Sequence, residues 1–215
     1  MFYTIAWHAV KLLWSIWFKL EIRGKENVPK SGPFVFCSNH VSGLDPTIVC
    51  LGVPTKIKLR FIGKAELFKN PFLRILFEKG LGCFPIERGT ADMNALDKAI
   101  NIVKDGGVLA IFPEGTRSPD GSLLRFKSGM SLIVQQTKAD VLPCNITYMN
   151  GKKFRSHVIV NVGEVIPFET LGFSDAQSPR ELKGATRIIR SAVEQLSMAP
   201  KAPELPSESS AGGEE

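Results

Sequence analysis

Short apolar runs alternate with longer amphipathic segments along most of this chain, and this alternation is the strongest constraint on its fold. Runs of four to eight residues, bounded by Gly, Pro or polar residues, predict buried strands at 20–23, 34–38, 82–86, 108–112, 141–147 and 158–165. Segments with helical periodicity predict helices at 46–51, 91–103, 128–137 and from 179 onward, and a helix in two pieces at 65–79, interrupted at Asn70-Pro71. Strands that alternate with helices predict one α/β domain, in which helices cover a mixed, mostly parallel sheet.

The two ends of the chain differ in composition from this central part. With 215 residues, of which 44% are hydrophobic, the chain has enough apolar material for one domain, which we expect over residues 20–198. Pro, Ser, Gly and Glu dominate residues 199–215, so we expect a disordered acidic tail there. The net charge is +6, but the last fifteen residues carry −3, which leaves +9 on the rest. A basic body favours an anionic partner, and a membrane surface, a nucleic acid and a phosphorylated substrate all qualify.

Residues 1–19 form a separate predicted element, an amphipathic helix. At 100° per residue, five polar side chains fall in one arc of about 80°, and the rest of the circumference is apolar and holds three tryptophans. The polar residues are Thr4, His8, Lys11, Ser15 and Lys19. Tryptophan favours the membrane–water interface, and Lys11 in the middle disfavours a spanning helix. We therefore expect a helix that lies in the membrane interface, and the alternative is a helix docked on the domain.

A histidine and a carboxylate follow one of the predicted strands. His40 and Asp45 come directly after the strand 34–38, in the sequence SNHVSGLDP. In α/β sheets, functional sites form beyond the carboxyl ends of the strands. A histidine transfers protons near neutral pH, and an aspartate five residues later, expected as the N-cap of the next helix, can fold back and hydrogen-bond to it. The alternative is an ordinary loop histidine.

A second polar cluster, FPEGTRS, begins at the end of the predicted strand 108–112. Gly115 permits close approach of the backbone to a ligand, Arg117 can bind a phosphate through its planar fork, and Glu114 can orient a hydroxyl or a nearby base. The alternative is a turn with an exposed ion pair. Arg88, close to the end of another predicted strand, is a further candidate phosphate ligand, and a solvated surface arginine is its alternative.

Several common catalytic signatures are absent from the sequence. It contains no GxSxG nucleophile elbow, no Walker A loop, no GxGxxG fingerprint and no HExxH zinc motif. The four cysteines are widely spaced in apolar stretches, which predicts buried reduced thiols rather than disulfides or a zinc site. We therefore expect no metal and no bound cofactor, and a histidine that activates a hydroxyl of the substrate itself.

The clusters, in this order, resemble the motifs of the glycerolipid acyltransferase family, in particular of its bacterial 1-acyl-sn-glycerol-3-phosphate acyltransferases. NHxxxxD at 39–45 is similar to the first motif of that family, and GxFxIxR at 82–88 to the second. FPEGTRS at 112–118 is similar to the third motif, and VLPCNI at 141–146 to the fourth. The resemblance covers roughly residues 20–166.

This resemblance implies an O-acyltransferase with a direct transfer and no acyl-enzyme. His40, steadied by Asp45, would take the proton from the 2-hydroxyl of lysophosphatidic acid. The oxygen would then attack the thioester of an acyl-CoA or an acyl-carrier protein, and phosphatidic acid would form. The glycerol phosphate would be bound by Arg88, Glu114, Gly115, Thr116, Arg117 and Lys64, and for the last of these a solvated lysine is the alternative.

A lipid substrate implies a site at the cell membrane, in a peripheral or monotopic protein on the cytoplasmic face. Besides the helix at 1–19, a second candidate membrane contact is the stretch 56–79, where basic residues are interleaved with aromatic and aliphatic ones. A solvated basic face is the alternative for this stretch.

Three other functions are alternatives to this one. The motifs specify a phosphate and a hydroxyl but no headgroup, so glycerol-3-phosphate or another lysophospholipid is an alternative acceptor. A non-catalytic membrane adaptor, which would bind anionic lipid through Arg88 and Arg117, is an alternative of another class and would make His40 dispensable. Nucleic-acid binding ranks last, because no recognised module is present and the aromatic residues cluster in apolar runs.

Overall fold

The computed structural model of the protein describes residues 2–64, 68–75, 78, 82–86, 93–174 and 178–197. The helices are α1 (Phe2–Trp17), α2 (Asp45–Val49), α3 (Pro71–Ile75), α4 (Met93–Lys104), α5 (Gly129–Thr137) and α6 (Pro179–Ser197). The strands are β1 (Lys19–Arg23), β2 (Phe34–Ser38), β3 (Leu59–Lys64), β4 (Cys83–Ile86), β5 (Val108–Ile111), β6 (Val141–Tyr148) and β7 (His157–Val162). Every strand except β3 was predicted from the sequence, with bounds within three residues. The predicted tail, 199–215, lies outside the described residues.

The described strands form one sheet in the order β1-β7-β6-β2-β5-β3-β4. The five strands from β6 to β4 run in one direction, and β7 pairs antiparallel with β6 and parallel with β1. The prediction of a mixed, mostly parallel sheet is therefore confirmed. The carboxyl ends of the five strands share one edge of the sheet, which we call the upper edge, and β7 and β1 begin at that same edge.

The central strand β2 is buried on both faces, because its side chains alternate between two apolar clusters. Phe34 and Phe36 belong to the cluster on the face covered by α1 and α2. Val35 and Cys37 belong to the cluster on the face covered by α4, α5 and α6. This period of two is the geometry of an extended strand, and burial on both faces explains why β2 reads as an uninterrupted apolar run.

Strand β3 was missed by the sequence analysis, because its basic residues interrupt the apolar run. Leu59 and Phe61 are buried, whereas Lys58 before Leu59 and Arg60 between the two are exposed. This alternation is typical of a half-buried strand. The basic stretch at 56–79 therefore contains a strand of the sheet as well as the short helix α3.

One side of helix α1 is docked on the domain. Trp7 donates its indole N–H to the carbonyl oxygen of Cys50 at 2.8 Å, and Trp14 donates to Thr47 Oγ1 at 2.9 Å. The Tyr3 ring on the same side is buried. The alternative interpretation of this segment, a docked helix, is therefore correct for this side of α1.

The opposite side of α1 is apolar and exposed. Its side chains have between 43% and 65% of their surface accessible, and we call them the outer apolar face: Ile5, Leu12, Leu13, Ile16 and Trp17. The polar arc predicted from the sequence separates this face from one flank of the docked side. Among the described residues, no helix is long and apolar enough to cross a membrane.

Candidate active site

The first part of the candidate site is the loop between β2 and α2, at the upper edge of the sheet. His40 Nδ1 lies 2.9 Å from Asp45 Oδ2, as the five-residue spacing predicts. The same carboxylate oxygen accepts the backbone N–H groups of Val41 at 2.6 Å and Ser42 at 2.7 Å. The predicted N-cap role of Asp45 is wrong, because Asp45 is the first residue of α2 and its carboxylate turns back into the preceding loop instead of capping the helix.

The second oxygen of the Asp45 carboxylate is held from another strand. The hydroxyl of Tyr148, the last residue of β6, donates to Asp45 Oδ1 at 2.7 Å. Burial and the neighbouring Asp45 charge raise the pKa of Tyr148 above its ordinary value, so the phenol keeps its proton. The Asp45 carboxylate thus faces four donors, with two backbone N–H groups and His40 at Oδ2 and the phenol at Oδ1. Since Asp45 can only accept, this arrangement assigns the proton to Nδ1 of His40 and leaves Nε2 as a base.

His40 is also held by the loop that follows β5. Its ring stacks on Phe112, with centroids 4.4 Å apart and planes at 21°, and 16% of its side chain remains accessible. Its backbone N–H donates to Glu114 Oε1 at 2.9 Å, and its carbonyl oxygen accepts the N–H of Ser118 at 2.7 Å. The structure therefore brings the first and third predicted motifs together around one imidazole.

Glu114 is buried and positions backbone groups. Besides His40, it accepts the N–H of Leu124 through Oε2 at 3.3 Å. Burial raises the pKa of Glu114, although the two N–H groups oppose this shift. From α6, Arg190 donates to the carbonyl oxygens of Leu123 at 3.1 Å and Leu124 at 3.3 Å. The C-terminal helix thus braces the segment that supports Glu114, a contact that the sequence analysis did not foresee.

Two cationic side chains lie beside these loops. The Arg117 guanidinium approaches the His40 loop, since its Nη1 is 3.6 Å from the place that a Cβ on Gly43 would take. Lys127, which the sequence analysis missed, lies across Gly115, and its Nζ is 2.8 Å from the corresponding Cβ position there. Gly115 also has a φ of +69°, a backbone conformation that favours glycine, whereas the flexible Lys127 side chain could move away from a Cβ. Thr116 is exposed next to them.

The two remaining predicted phosphate ligands are described only in part or not at all. The backbone of Lys64 ends β3 at the upper edge, in register with Ile86 of β4. The side chain of Lys64 and the whole of Arg88 lie outside the described residues.

The asparagine of the first motif joins two strands. Asn39 donates its amide N–H to the carbonyl oxygen of Ile146 at 3.0 Å and accepts the N–H of Ile146 at 2.7 Å. These two side-chain hydrogen bonds continue the contact between β2 and β6 beyond the last paired residues, Ser38 and Cys144. It holds the His40 loop to the strand that ends at Tyr148.

The cysteines near the site are not candidate nucleophiles. All four cysteines of the chain are buried as thiols, as the sequence predicts. Burial raises the pKa of the Cys144 thiol to about 12, and that of Cys37 lies well above its usual value. A thiol that keeps its proton at neutral pH is a poor nucleophile.

The sequence around this site matches a known family. The chain matches the acyltransferase family profile over residues 19–147, which is more than half of its length. The chain belongs to the acyltransferase family. The matched region of this acyltransferase contains His40, Asp45 and Glu114, and it ends one residue before Tyr148.

Named relatives of this acyltransferase include plant and bacterial proteins. The chloroplastic 1-acyl-sn-glycerol-3-phosphate acyltransferase BAT2 of Brassica napus is 35% identical over 170 residues, which are 74% of this chain and 47% of the relative. The 1-acyl-sn-glycerol-3-phosphate acyltransferase of Bacillus subtilis (strain 168) is 26% identical over 200 residues, which are 90% of this chain and 96% of the relative. The acyltransferase thus spans about half of the plant relative and nearly all of the bacterial one.

A solved structure has the same fold. The crystal structure of the 1-acyl-sn-glycerophosphate acyltransferase PlsC from Thermotoga maritima matches with a TM-score of 0.72 and 27% sequence identity. The match covers 93% of this chain and 81% of that one.

Proposed function

We propose that this acyltransferase transfers a fatty acyl group from acyl-CoA or acyl-carrier protein to the 2-hydroxyl of 1-acyl-sn-glycerol-3-phosphate, which yields phosphatidic acid. The observation that carries the proposal is the His40–Asp45 pair, held at 2.9 Å with Nε2 of the imidazole left as a base. The acceptor is inferred from the plant and bacterial relatives, which are 1-acyl-sn-glycerol-3-phosphate acyltransferases.

The proposed reaction is a single acyl transfer with His40 as general base. His40 Nε2 takes the proton of the 2-hydroxyl while that oxygen bonds to the thioester carbonyl carbon. The tetrahedral oxyanion is stabilised by backbone N–H groups of the 113–118 loop. When the C–S bond breaks, the leaving thiolate receives the proton from the imidazolium, so His40 returns to its starting state. Asp45 stabilises the imidazolium between these steps, and no metal or cofactor takes part.

The acceptor phosphate is proposed to bind the cations beside this pair. Arg117 and Lys127 lie next to the two loops that hold His40, and Arg88 and Lys64 join them by the family resemblance. Gly115 and Thr116 line the approach, whereas Glu114 supports the site from below by holding two backbone N–H groups.

The experiment that tests the catalytic assignment compares two histidine–carboxylate pairs. His40→Ala and Asp45→Ala are assayed for acyl transfer to lysophosphatidic acid. His157→Ala is the matched control, because His157 Nε2 also lies 2.9 Å from a carboxylate oxygen, that of Glu21, but outside the site. We expect a loss of at least a hundredfold for the first two variants and near wild-type rates for the control, within the 10²–10⁴-fold range of general base catalysis. A folded His40→Ala protein with wild-type activity would refute the proposal.

The same assay separates the alternative functions. Crossing lysophosphatidic acid, glycerol-3-phosphate and a lysophospholipid with both acyl donors identifies the acceptor and the donor. A non-catalytic lipid-binding adaptor would bind anionic lipid equally well with and without His40 and would transfer no acyl group.

The proposal includes a peripheral or monotopic association with the cytoplasmic face of the cell membrane. The outer apolar face of α1 is exposed beside Lys11 and Lys19, which suits a helix lying in the interface of an anionic bilayer. Deleting α1 would be a poor test, because it would also remove the docked side. Leu12→Gln with Ile16→Gln changes only the outer face, and Thr4→Gln with Ser15→Gln is the matched control on the polar arc. We expect only the first pair to lower co-sedimentation with anionic vesicles, and equal co-sedimentation of both pairs would contradict the proposal.

A further inference from the structure

We propose that the turn between β6 and β7, residues 149–156, is a second contact with the anionic bilayer. The inference rests on the proposed function in taking a bilayer as the partner of α1. We call these eight residues the β6–β7 turn.

The β6–β7 turn is joined to the end of α1 by backbone and side-chain contacts. The N–H of Arg155 donates to the carbonyl oxygen of Trp17 at 2.6 Å, and the N–H of Lys19 donates to that of Ser156 at 2.9 Å. The rings of Trp17 and Phe154 meet edge to face, with centroids 5.5 Å apart and planes at 79°. The outer apolar face of α1 therefore continues into the turn without a gap.

The composition of the β6–β7 turn suits a membrane interface. Phe154 is 60% exposed and Met149 is 38% exposed, although both are apolar. Lys152, Lys153 and Arg155 surround them and are exposed. Among the residues that the structure describes, neither Lys153 nor Arg155 forms an ion pair. Exposed aromatic and aliphatic side chains beside exposed cations are typical of a surface that enters an anionic headgroup layer.

The position of the β6–β7 turn also links it to the candidate site. The turn lies at the upper edge of the sheet, and Lys152 donates to the carbonyl oxygen of Val41, in the His40 loop, at 2.8 Å. Contacts through α1 alone would leave the domain able to roll about the helix axis. A second contact at the turn would fix the upper edge against the bilayer, where a single-chain phospholipid acceptor resides.

The experiment replaces three exposed side chains of the turn, one aromatic and two cationic, with residues that suit its backbone. Arg155 has a φ of 62°, a conformation that asparagine adopts readily, so Asn replaces it. The turn variant carries Lys153→Gln, Phe154→Ser and Arg155→Asn. Its matched control removes two cations and one exposed apolar side chain from α6, on the other face of the sheet, and carries Lys183→Gln, Arg187→Gln and Ile188→Ser.

The readout is partitioning into vesicles of phosphatidylglycerol and phosphatidylcholine, with circular dichroism as the check of folding. Two basic residues near an anionic surface predict a partition coefficient about 30-fold lower for the turn variant, and little change for the α6 control. A second measurement does not depend on loss of binding. Because the native cysteines are buried, a polarity-sensitive dye can be placed at Phe154→Cys and, as its control, at Ile188→Cys. We expect vesicles to increase the dye emission at 154 and not at 188.

Three results would overturn the inference. The first is equal partitioning of the turn variant and the wild type, and the second is an equal dye response at positions 154 and 188. The third is a turn variant that loses acyl transfer only when acyl-carrier protein is the donor, which would make the turn a docking surface for an acidic protein. Failure of the proposed function is distinguishable from failure of this inference. In the first case the wild-type protein would transfer no acyl group, but its partitioning into vesicles would still be lowered by the turn substitutions.

Discussion

The hydroxyl of Tyr148 can be removed with little other change to the candidate site. Tyr148→Phe keeps the ring, its edge-to-face contact with Phe18 at 6.1 Å and its position under the Lys152 ammonium at 5.9 Å. What it removes is the O–H donor that lies 2.7 Å from Asp45 Oδ1. Since the Asp45 side chain is 0% exposed, water cannot easily replace that donor.

The size of the effect follows from this geometry. A hydrogen bond to a charged group contributes about 1.5–3 kcal/mol, and a buried acceptor left without its donor bears the desolvation cost. At about 1.4 kcal/mol per factor of ten, this corresponds to roughly ten- to a hundredfold. We expect the loss mainly in kcat, because Tyr148 positions Asp45 and is not placed against the substrate. KM should stay within about threefold of the wild-type value if the phosphate contacts are intact.

The assay is acyl transfer to lysophosphatidic acid under saturating and subsaturating acceptor, with urea unfolding measured in parallel. Tyr3→Phe is the matched control, since the chain has two tyrosines and the Tyr3 hydroxyl donates to the carbonyl oxygen of Ile57 at 3.3 Å, away from the site. Because both variants lose one phenolic hydroxyl, an effect on kcat that comes only from lost stability should appear in both and cancels when they are compared. If kcat of Tyr148→Phe lay within twofold of that of Tyr3→Phe, the positioning role would be refuted.

Other side chains of the site give further predictions. In the same transfer assay, Glu114→Gln should lower kcat/KM about tenfold or more. The reason is that the NH₂ group of the glutamine amide would face the backbone N–H donor of either His40 or Leu124. Since burial raises the pKa of Glu114, ionisation of this carboxyl costs stability as the pH rises above its ordinary value of 4.5. Urea unfolding should therefore show that the free energy of unfolding of the wild type rises relative to that of Glu114→Gln as the pH falls from 7 to 4. The same pH dependence of this free energy in both proteins would contradict the prediction. Arg190→Lys should lower kcat/KM several-fold, because one ammonium group cannot donate to both carbonyl oxygens as the guanidinium does, and an unchanged value would contradict the bracing role.

The contacts that were predictable from the sequence are those between residues close together in the chain. His40 and Asp45 are five residues apart, so the loop spacing allowed their hydrogen bond and the family resemblance favoured it. Most strands were also predictable, because their apolar runs end at turn residues. Strand β3 was not, since Lys58 and Arg60 alternate with its buried residues and dilute the apolar signal.

The contacts that were missed join residues far apart in the chain. Tyr148 is 103 residues from Asp45, and Arg190 is 66 residues from Leu124. Such contacts depend on the order of strands in the sheet, which periodicity does not encode. From the sequence, a tyrosine at the end of an apolar strand is predicted to be a core residue, and an arginine on a helix is predicted to be exposed to solvent. For helix α1, the docked tryptophans and the outer apolar face belong to one apolar pattern. The sequence pattern therefore does not distinguish the side that packs on the domain from the side that is exposed.

The docked side of α1 links the proposed membrane contact to the proposed catalytic carboxylate. Trp14 donates to Thr47 Oγ1, and the Thr47 hydroxyl donates to the carbonyl oxygen of Leu44, which directly precedes Asp45. Trp7 is bonded to Cys50 O, just beyond the end of the same short helix. The helix that begins with Asp45 is thus packed between α1 and the sheet, so an α1 seated in the interface holds α2, and with it the Asp45 carboxylate, at a defined depth. A helix that only tethered the domain would need none of these indole hydrogen bonds, and the binding of two indoles to α2 and its C-cap therefore favours an anchor that also orients the site.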